Sequence, residues 1–280
     1  MEIKNYIKRV ATYLIKGVPQ NITNVEVKVS NPNRCLKDRN IIITGGSRGL
    51  GFYIAQKSIQ EGAKVLLTGR NEVTLKNAVN ILGDAAKYIV FDASDINGID
   101  VFIDKAVDIF HGEKIDSLVS NAGVSYHEGC FRNVTDHGWD AQMNTNLKGN
   151  FFLVKKFVEY LETFENKRGN IIVITSERAK RSDDIPYGLS KVATSSFIQA
   201  IAQQVIEEGI RINGVGPGVT ASDMTGFKKG ENMYAEWQSG KRIFMPEEVA
   251  EVVNFLLSDF SDCISGEIIT CDQGRYISRW

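Results

Sequence analysis

Cysteine is scarce and unpatterned. Cys35, Cys130, Cys263 and Cys271 form no Cys-x-x-Cys pair and no metal-spaced cluster, which excludes a zinc module and a disulfide framework. His111, His127 and His137 are equally scattered, so no metal site is expected. Neither sign of charge is in excess: 33 Lys and Arg against 34 Asp and Glu leave a formal net charge of −1. A nucleic-acid-binding role would require a marked basic excess and is therefore disfavoured. No apolar stretch approaches the roughly 18 residues that a membrane span needs. Lys8, Arg9 and Lys16 interrupt the N-terminal segment, which lacks the apolar core and cleavage site of a signal peptide. These absences leave the expectation of a cytoplasmic protein with structural thiols, no membrane span and no nucleic-acid partner.

What is present is an ordinary globular composition, 43% hydrophobic and 24% charged over 280 residues. Residues 1–38 read as an appendage. Ile3, Tyr6, Ile7, Val10 and Leu14 recur at helical spacing, Gly17 and Pro19 end the pattern, and residues 22–29 alternate as a half-buried strand does. From residue 39 onward strands and helices alternate. Short apolar runs fit for strands occur at 41–43, 64–68, 88–91, 115–119, 171–174, 211–215 and 267–270. Helical stretches lie between them, at about 52–60, 72–82, 97–111, 136–165, 186–208 and 246–258. This alternation predicts one α/β domain over 39–280, a doubly wound parallel sheet of Rossmann-like type with helices on both faces.

The first of these strands runs into Thr44-Gly-Gly-Ser-Arg-Gly-Leu-Gly51. Glycine at 45, 49 and 51 permits a tight turn and lets backbone N–H groups approach a nucleotide phosphate at the start of the next helix, whose dipole favours negative charge. Gly45, Ser47, Arg48, Gly49, Leu50 and Gly51 are the candidate phosphate cradle. The second strand ends Thr68-Gly69-Arg70 without the carboxylate that usually holds the ribose 2′-hydroxyl of NAD. Arg70 and Arg48 instead suit a 2′-phosphate, so NADP (NADPH) is the expected cofactor.

Further along stands Tyr187-Gly-Leu-Ser-Lys191. Tyrosine and lysine four positions apart share one helix face. An ammonium beside a phenol lowers the phenol pKa from about 10 and equips it to move a proton to or from a carbonyl or alcohol oxygen. Such a pair is common by chance, and by itself also fits a core tyrosine beside a solvated lysine.

In order along the chain, these motifs resemble the short-chain dehydrogenases/reductases, over residues from about 36 to the C-terminus. Thr44–Gly51 resembles the family's cofactor loop, and Asp92 the acid that contacts adenine. Asn121-Ala122-Gly123 resembles the segment that ends the fourth strand beside the cofactor, and Pro217-Gly218 with Thr220 the segment that closes over the nicotinamide. Asn146, Ser176, Tyr187 and Lys191 fall on the catalytic tetrad, with Thr175 and Ser182 as alternatives to Ser176, because the loop that follows is about two residues short. The resemblance implies hydride transfer between nicotinamide and a carbonyl or alcohol substrate. Ser176 would polarise the substrate oxygen and Tyr187 move the proton. Lys191 would hold the ribose and tune the phenol, and Asn146 would anchor a relay water. It also implies a homodimer or homotetramer built on the helices at 136–165 and 186–208, where Phe151, Phe152 and Phe197 exceed what one sheet-facing side needs.

Residues 220–242 break the alternation. Met224, Phe227, Met233, Tyr234 and Trp237 beside Lys228 and Lys229 suit a flexible substrate lid. A small-molecule carbonyl or alcohol is the expected partner, with 3-oxoacyl thioesters, sugars and polyols among the open classes. A non-catalytic NADP-binding sensor or scaffold on the same fold is the competing reading.

Overall fold

The computed structural model describes residues 22, 24, 34–227 and 230–276. The helix and strand expected within residues 1–38 lie outside the described residues but for the last few positions. Seven strands form one wholly parallel sheet in the order β3-β2-β1-β4-β5-β6-β7. They are β1 (Asn40–Thr44), β2 (Lys64–Gly69), β3 (Ala86–Val90), β4 (Ser117–Ser120), β5 (Gly169–Ile174), β6 (Ile210–Pro217) and β7 (Ile268–Cys271). The helices that cross between them are α1 (Gly49–Gln60), α2 (Glu72–Leu82), α3 (Ile99–Ile109), α4 (Asp136–Met143), α5 (Asn150–Glu162), α6 (Pro186–Val205) and α7 (Pro246–Leu257). Among the described residues no helix is long and apolar enough to cross a membrane.

The isoleucine-rich central strands are buried on both faces, and successive side chains enter different cores. Ile42, Leu66, Leu118 and Ile171 join Phe102, Phe157 and Phe197 of α3, α5 and α6. Ile41, Ile43, Leu67 and Ile172 join Ile54, Leu75 and Val253 of α1, α2 and α7. The strand order reverses between β1 and β4, and a crevice at the carboxyl ends of strands on either side of such a reversal is where open α/β sheets bind ligands.

Residues 136–165, expected as one helix, are interrupted. α4 and α5 are joined by a π turn over Asn144–Gly149. The wide turn frees the main-chain carbonyl of Asn146, which accepts from Asn150 Nδ2 (2.7 Å) and Thr194 Oγ1 (3.4 Å). Asn150 is itself fixed by the Ser120 hydroxyl on β4. A β-carbon at Gly149 would overlap the Ala93 carbonyl, so only glycine lets this turn lie on the loop after β3. Such single π turns collect where a side chain must be re-aimed, and here that side chain is Asn146.

The 220–242 segment is less loose than its composition suggests. Ala221, Met233 and Ala235 bury themselves against Ile243 and Met245, with Phe227 packed alongside, while Met224 and Trp237 stay exposed. Bridges pair Thr220 with Phe244 and Tyr234 with Arg242. It carries an apolar nucleus of its own.

Candidate active site

The carboxyl ends of β1 and β4 are laced together by polar groups. Asn121 Nδ2 donates to the carbonyls of Thr44 (2.9 Å) and Gly45 (3.1 Å), while Thr44 Oγ1 accepts from the backbone N–H of Asn121 and of Ala122. Gly45 and Gly49 take positive φ of 62° and 53°, which β-carbons would resist. At Gly51 a β-carbon would overlap the Gly45 carbonyl and the Asn121 amide. The loop is therefore folded tightly onto the start of α1. No side chain caps that helix, whose N-cap is Arg48, so the N–H groups of its first turn are left for an external acceptor. Ser47 and Leu50 are half-buried in the same turn. These features fit a dinucleotide phosphate.

Arg70 is exposed just beyond the tip of β2 and makes no ion pair among the described residues. Arg48 is also exposed but pairs at 3.1 Å with Asp223 of the 220–242 segment. Asp92, beyond β3, is half-buried and accepts from the N–H (2.9 Å) and hydroxyl (2.8 Å) of Ser94. On the other flank Gly218 N–H donates to the Cys271 carbonyl and the Thr220 hydroxyl to the Gly218 carbonyl, which fixes Pro217–Thr220 against β7.

The four tetrad positions come together at the ends of β4 and β5. Ser176 is buried at the start of a short 3₁₀ turn (Glu177–Lys180), and its hydroxyl lies near the Tyr187 phenol. The alternatives face elsewhere: Thr175 donates to the Val215 carbonyl on β6, and Ser182 is exposed. Lys191 is buried, its Nζ donating to the Ile174 carbonyl at 2.9 Å and lying 5.7 Å from the centre of the Tyr187 ring. A β-carbon at Gly123 would sit 3.7 Å from that Nζ, so the Asn121–Gly123 segment passes directly over the lysine. Asn146 clamps the next residue, with Nδ2 donating to the Val124 carbonyl and Oδ1 accepting from its N–H, both at 2.8 Å.

One expectation changes in this setting. Burial pushes the Tyr187 phenol up, whereas proximity to Lys191 led us to expect it well below 10. The Ser176 hydroxyl and the Arg178 guanidinium oppose that rise, while Glu177 and Asp183 add to it. Lys191 is itself pushed down to about 8 by burial. The Asn146 side chain holds Val124, and its main-chain carbonyl accepts from Asn150 and Thr194. The thiols of Cys35 and Cys271 are raised to about 11, chiefly by burial, and none of the four cysteines is in a disulfide among the described residues. Among the described residues no cluster of metal-ligating side chains occurs.

Residues 39–232 match the family model for short chain dehydrogenases. The chain belongs to the short-chain dehydrogenase family. It is 30% identical over 247 residues to a 3-oxoacyl-[acyl-carrier-protein] reductase of Chlamydia trachomatis, covering 85% of this chain and 98% of that one. It is also 30% identical over 258 residues to the galactitol 2-dehydrogenase of Agrobacterium fabrum, covering 87% and 99%. The crystal structure of a 3-ketoacyl-(acyl-carrier-protein) reductase from Brucella melitensis, complexed with NADH, superposes with a TM-score of 0.79 at 25% identity, covering 86% of this chain and all of that one.

Within this short-chain dehydrogenase, several site residues carried no sequence signal. Thr44, Asn150 and Thr194 work through hydroxyl and amide bonds that only the assembled sheet creates. Ser190 could have been found, since it lies inside the Tyr187–Lys191 motif and its hydroxyl donates to the Tyr187 carbonyl at 2.7 Å. Glu177 is paired at 2.7 Å with Arg275, far along the chain, and Arg178 with Asp183.

Proposed function

We propose that this chain is an NADP-dependent oxidoreductase that interconverts a carbonyl compound and its alcohol. The observation that carries this reading is the approach of the Ser176 hydroxyl to the Tyr187 phenol beside the buried Lys191. A substrate oxygen entering between them would take a hydrogen bond from each. When bound, the nicotinamide supplies or receives the hydride. Ser176 polarises the substrate oxygen, and Tyr187 donates a proton to it on reduction or removes one on oxidation. Lys191, anchored on Ile174, turns its remaining donors toward the ribose under Gly123. Asn146 acts as a positioning residue, holding Val124 and hence the Asn121–Gly123 segment in place.

The remaining contacts follow the same frame. Gly45, Ser47, Gly49, Leu50 and Gly51 receive the pyrophosphate, Asp92 the adenine, and Pro217, Gly218 and Thr220 the carboxamide side of the nicotinamide. Residues 39–280 constitute the catalytic unit, 1–38 an extension, and 220–242 the cover of the substrate site. 3-Oxoacyl thioesters, sugars and polyols are the substrate classes to test first. The experiment is NADPH oxidation against a panel of ketones, aldehydes, keto-sugars and 3-oxoacyl thioesters. Turnover of any member supports the reading; cofactor binding with silence across the panel would favour a sensor or scaffold.

Arg70, exposed at the β2 tip, is the group through which NADP is preferred. Arg70→Ala is expected to weaken NADPH binding about 10- to 100-fold, the worth of a charge-assisted hydrogen bond, and to leave NADH binding nearly unaltered. Fluorescence titration of both nucleotides tests this, and equal affinities in the wild type would overturn the assignment. Phe151 and Phe152 remain more than a third exposed on α5, and Leu189 and Val192 on α6. We infer a homodimer or homotetramer through these helices. Light scattering that returned the mass of one chain, 31.1 kDa, would count against it.

A further inference from the structure

Arg178 lies two residues beyond Ser176, in the 3₁₀ turn that Ser176 begins. Its Nε and Nη2 donate to the two carboxylate oxygens of Asp183, at 2.5 and 2.8 Å. The Asp183 side chain is only 1% exposed and packs on the first turn of α6, where Gly188 has no β-carbon to displace it. A second arginine, Arg181, stands 3.6 Å from the same carboxylate. A buried acid thus grips one edge of a planar guanidinium and fixes its direction. A guanidinium has five N–H donors in a rigid fork, and Asp183 takes two. The end-on edge, formed by Nη1 and the second Nη2 proton, has no acceptor in the described chain, and the side chain is 27% exposed. The guanidinium carbon lies 6.0 Å from the centre of the Tyr187 ring.

No nearby carboxylate bonds to that edge: Glu177 pairs through Oε1 with Arg275 at 2.7 Å while its Oε2 is buried without a hydrogen-bond partner, and Asp184 accepts from the Phe131 N–H. An oriented, unfilled donor pair beside the Tyr187 ring matches a carboxylate, which accepts two parallel hydrogen bonds from the end of an arginine. We propose that Arg178 binds a carboxylate carried by the substrate a few bonds from the reacting carbon, so that the chain acts on small anionic oxo or hydroxy acids. This rests on Ser176 and Tyr187 being the reacting centre. Arg178 also opposes the upward shift of the Tyr187 phenol, so one side chain selects the substrate and eases its proton transfer.

The test compares each acid with its neutral ester: acetoacetate with methyl acetoacetate, and 4-oxopentanoate with its methyl ester, each with NADPH. The wild type should show kcat/KM about 10- to 100-fold higher for the acid, the range of a charge-assisted hydrogen bond. Arg178→Gln should bring that ratio near one, and Arg178→Lys should keep part of it. Arg178→Gln leaves the buried Asp183 with only the more distant Arg181 as a cationic partner, so Arg178→Gln with Asp183→Asn is measured beside it as the variant that retains the fold. Calorimetric titration of glutarate into the NADPH complex reads the same site without turnover, and binding should vanish with Arg178→Gln. A wild type that turns over ester as well as acid overturns the proposal, as does a variant that lowers both in proportion. If no carbonyl compound reacts but glutarate binding depends on Arg178, the anion site stands and the reductase reading falls. If glutarate binding is also absent, both fall.

Discussion

Tyr187→Phe is expected to lower turnover by about 10²–10⁴-fold, the usual loss of a positioned acid or base, while cofactor affinity holds. The substitution keeps the ring and its neighbours, the Arg178 guanidinium and the Lys191 ammonium. It deletes the hydroxyl that lies near Ser176 and to which we assign the proton transfer. Ser176 keeps the backbone N–H of Arg178, which donates to it at 3.2 Å. The wild type should also oxidise alcohol faster as pH rises, because the phenol must lose its proton to act as base. Burial sets that limb higher than a solvent-exposed phenol would, and Arg178 pulls it back. Steady-state kinetics across pH with a proven substrate, together with nucleotide titration, measures both quantities. Wild-type turnover in Tyr187→Phe would reduce Tyr187 to a core tyrosine.

Lys191→Ala should impair two properties together, turnover and nucleotide affinity, and its effect on stability should depend on pH. Burial lowers the Lys191 pKa to about 8 from its ordinary value of 10.5. Between those values the folded chain has released a proton that the unfolded chain still holds. Where the unfolded state binds more protons, stability rises with pH. Below about pH 8 both states carry the proton, and the folded state bears the full cost of an enclosed ammonium. Lys191→Ala should therefore lose the rise in stability between about pH 8 and 10.5. Denaturant melts at pH 7, 9 and 10 check this against the wild type. Identical pH dependence in the two proteins would mean that the ammonium is not shielded from solvent as its enclosure implies.

The strands were legible because each is an apolar run too short for a helix, and all seven lie where those runs fall. The division of labour within a run was not: Ile41, Ile42 and Ile43 are chemically identical, and only the sheet sends the middle one to the opposite core. The positions of Ser176, Tyr187 and Lys191 could be read from motif order. Their electrostatics could not, because the sequence shows that a lysine is near a tyrosine but not how deeply both are enclosed. The π turn escaped for a similar reason. Asn144–Gly149 has an unbroken helical pattern, and the groups that hold the turn open, Ala93, Ser120 and Thr194, come from three other parts of the chain. Composition also left the packed nucleus of the 220–242 segment unseen, since aromatic and methionine content does not show which of these side chains meet one another.

The strand order also dictates how the chain can fold. Ile41 pairs with Val65 on one side and with Ser117 on the other. The β3-β2-β1 half can assemble by successive nearby crossovers, whereas the central seam between β1 and β4 must wait until a long stretch of chain has been made. Until then one edge of β1, Ile-Ile-Ile at its heart, stands open on a growing nascent chain. Distant parallel pairings of this kind bear loop-closure entropy before any contact rewards it, and they slow folding well below the rate of a helical bundle of equal stability. An exposed hydrophobic edge over that interval is a template for pairing with a neighbouring chain. The seam that creates the cofactor crevice is thus also the place where closure waits on synthesis, and where a chaperone that covers β1 until β4 emerges would most improve the yield of folded protein.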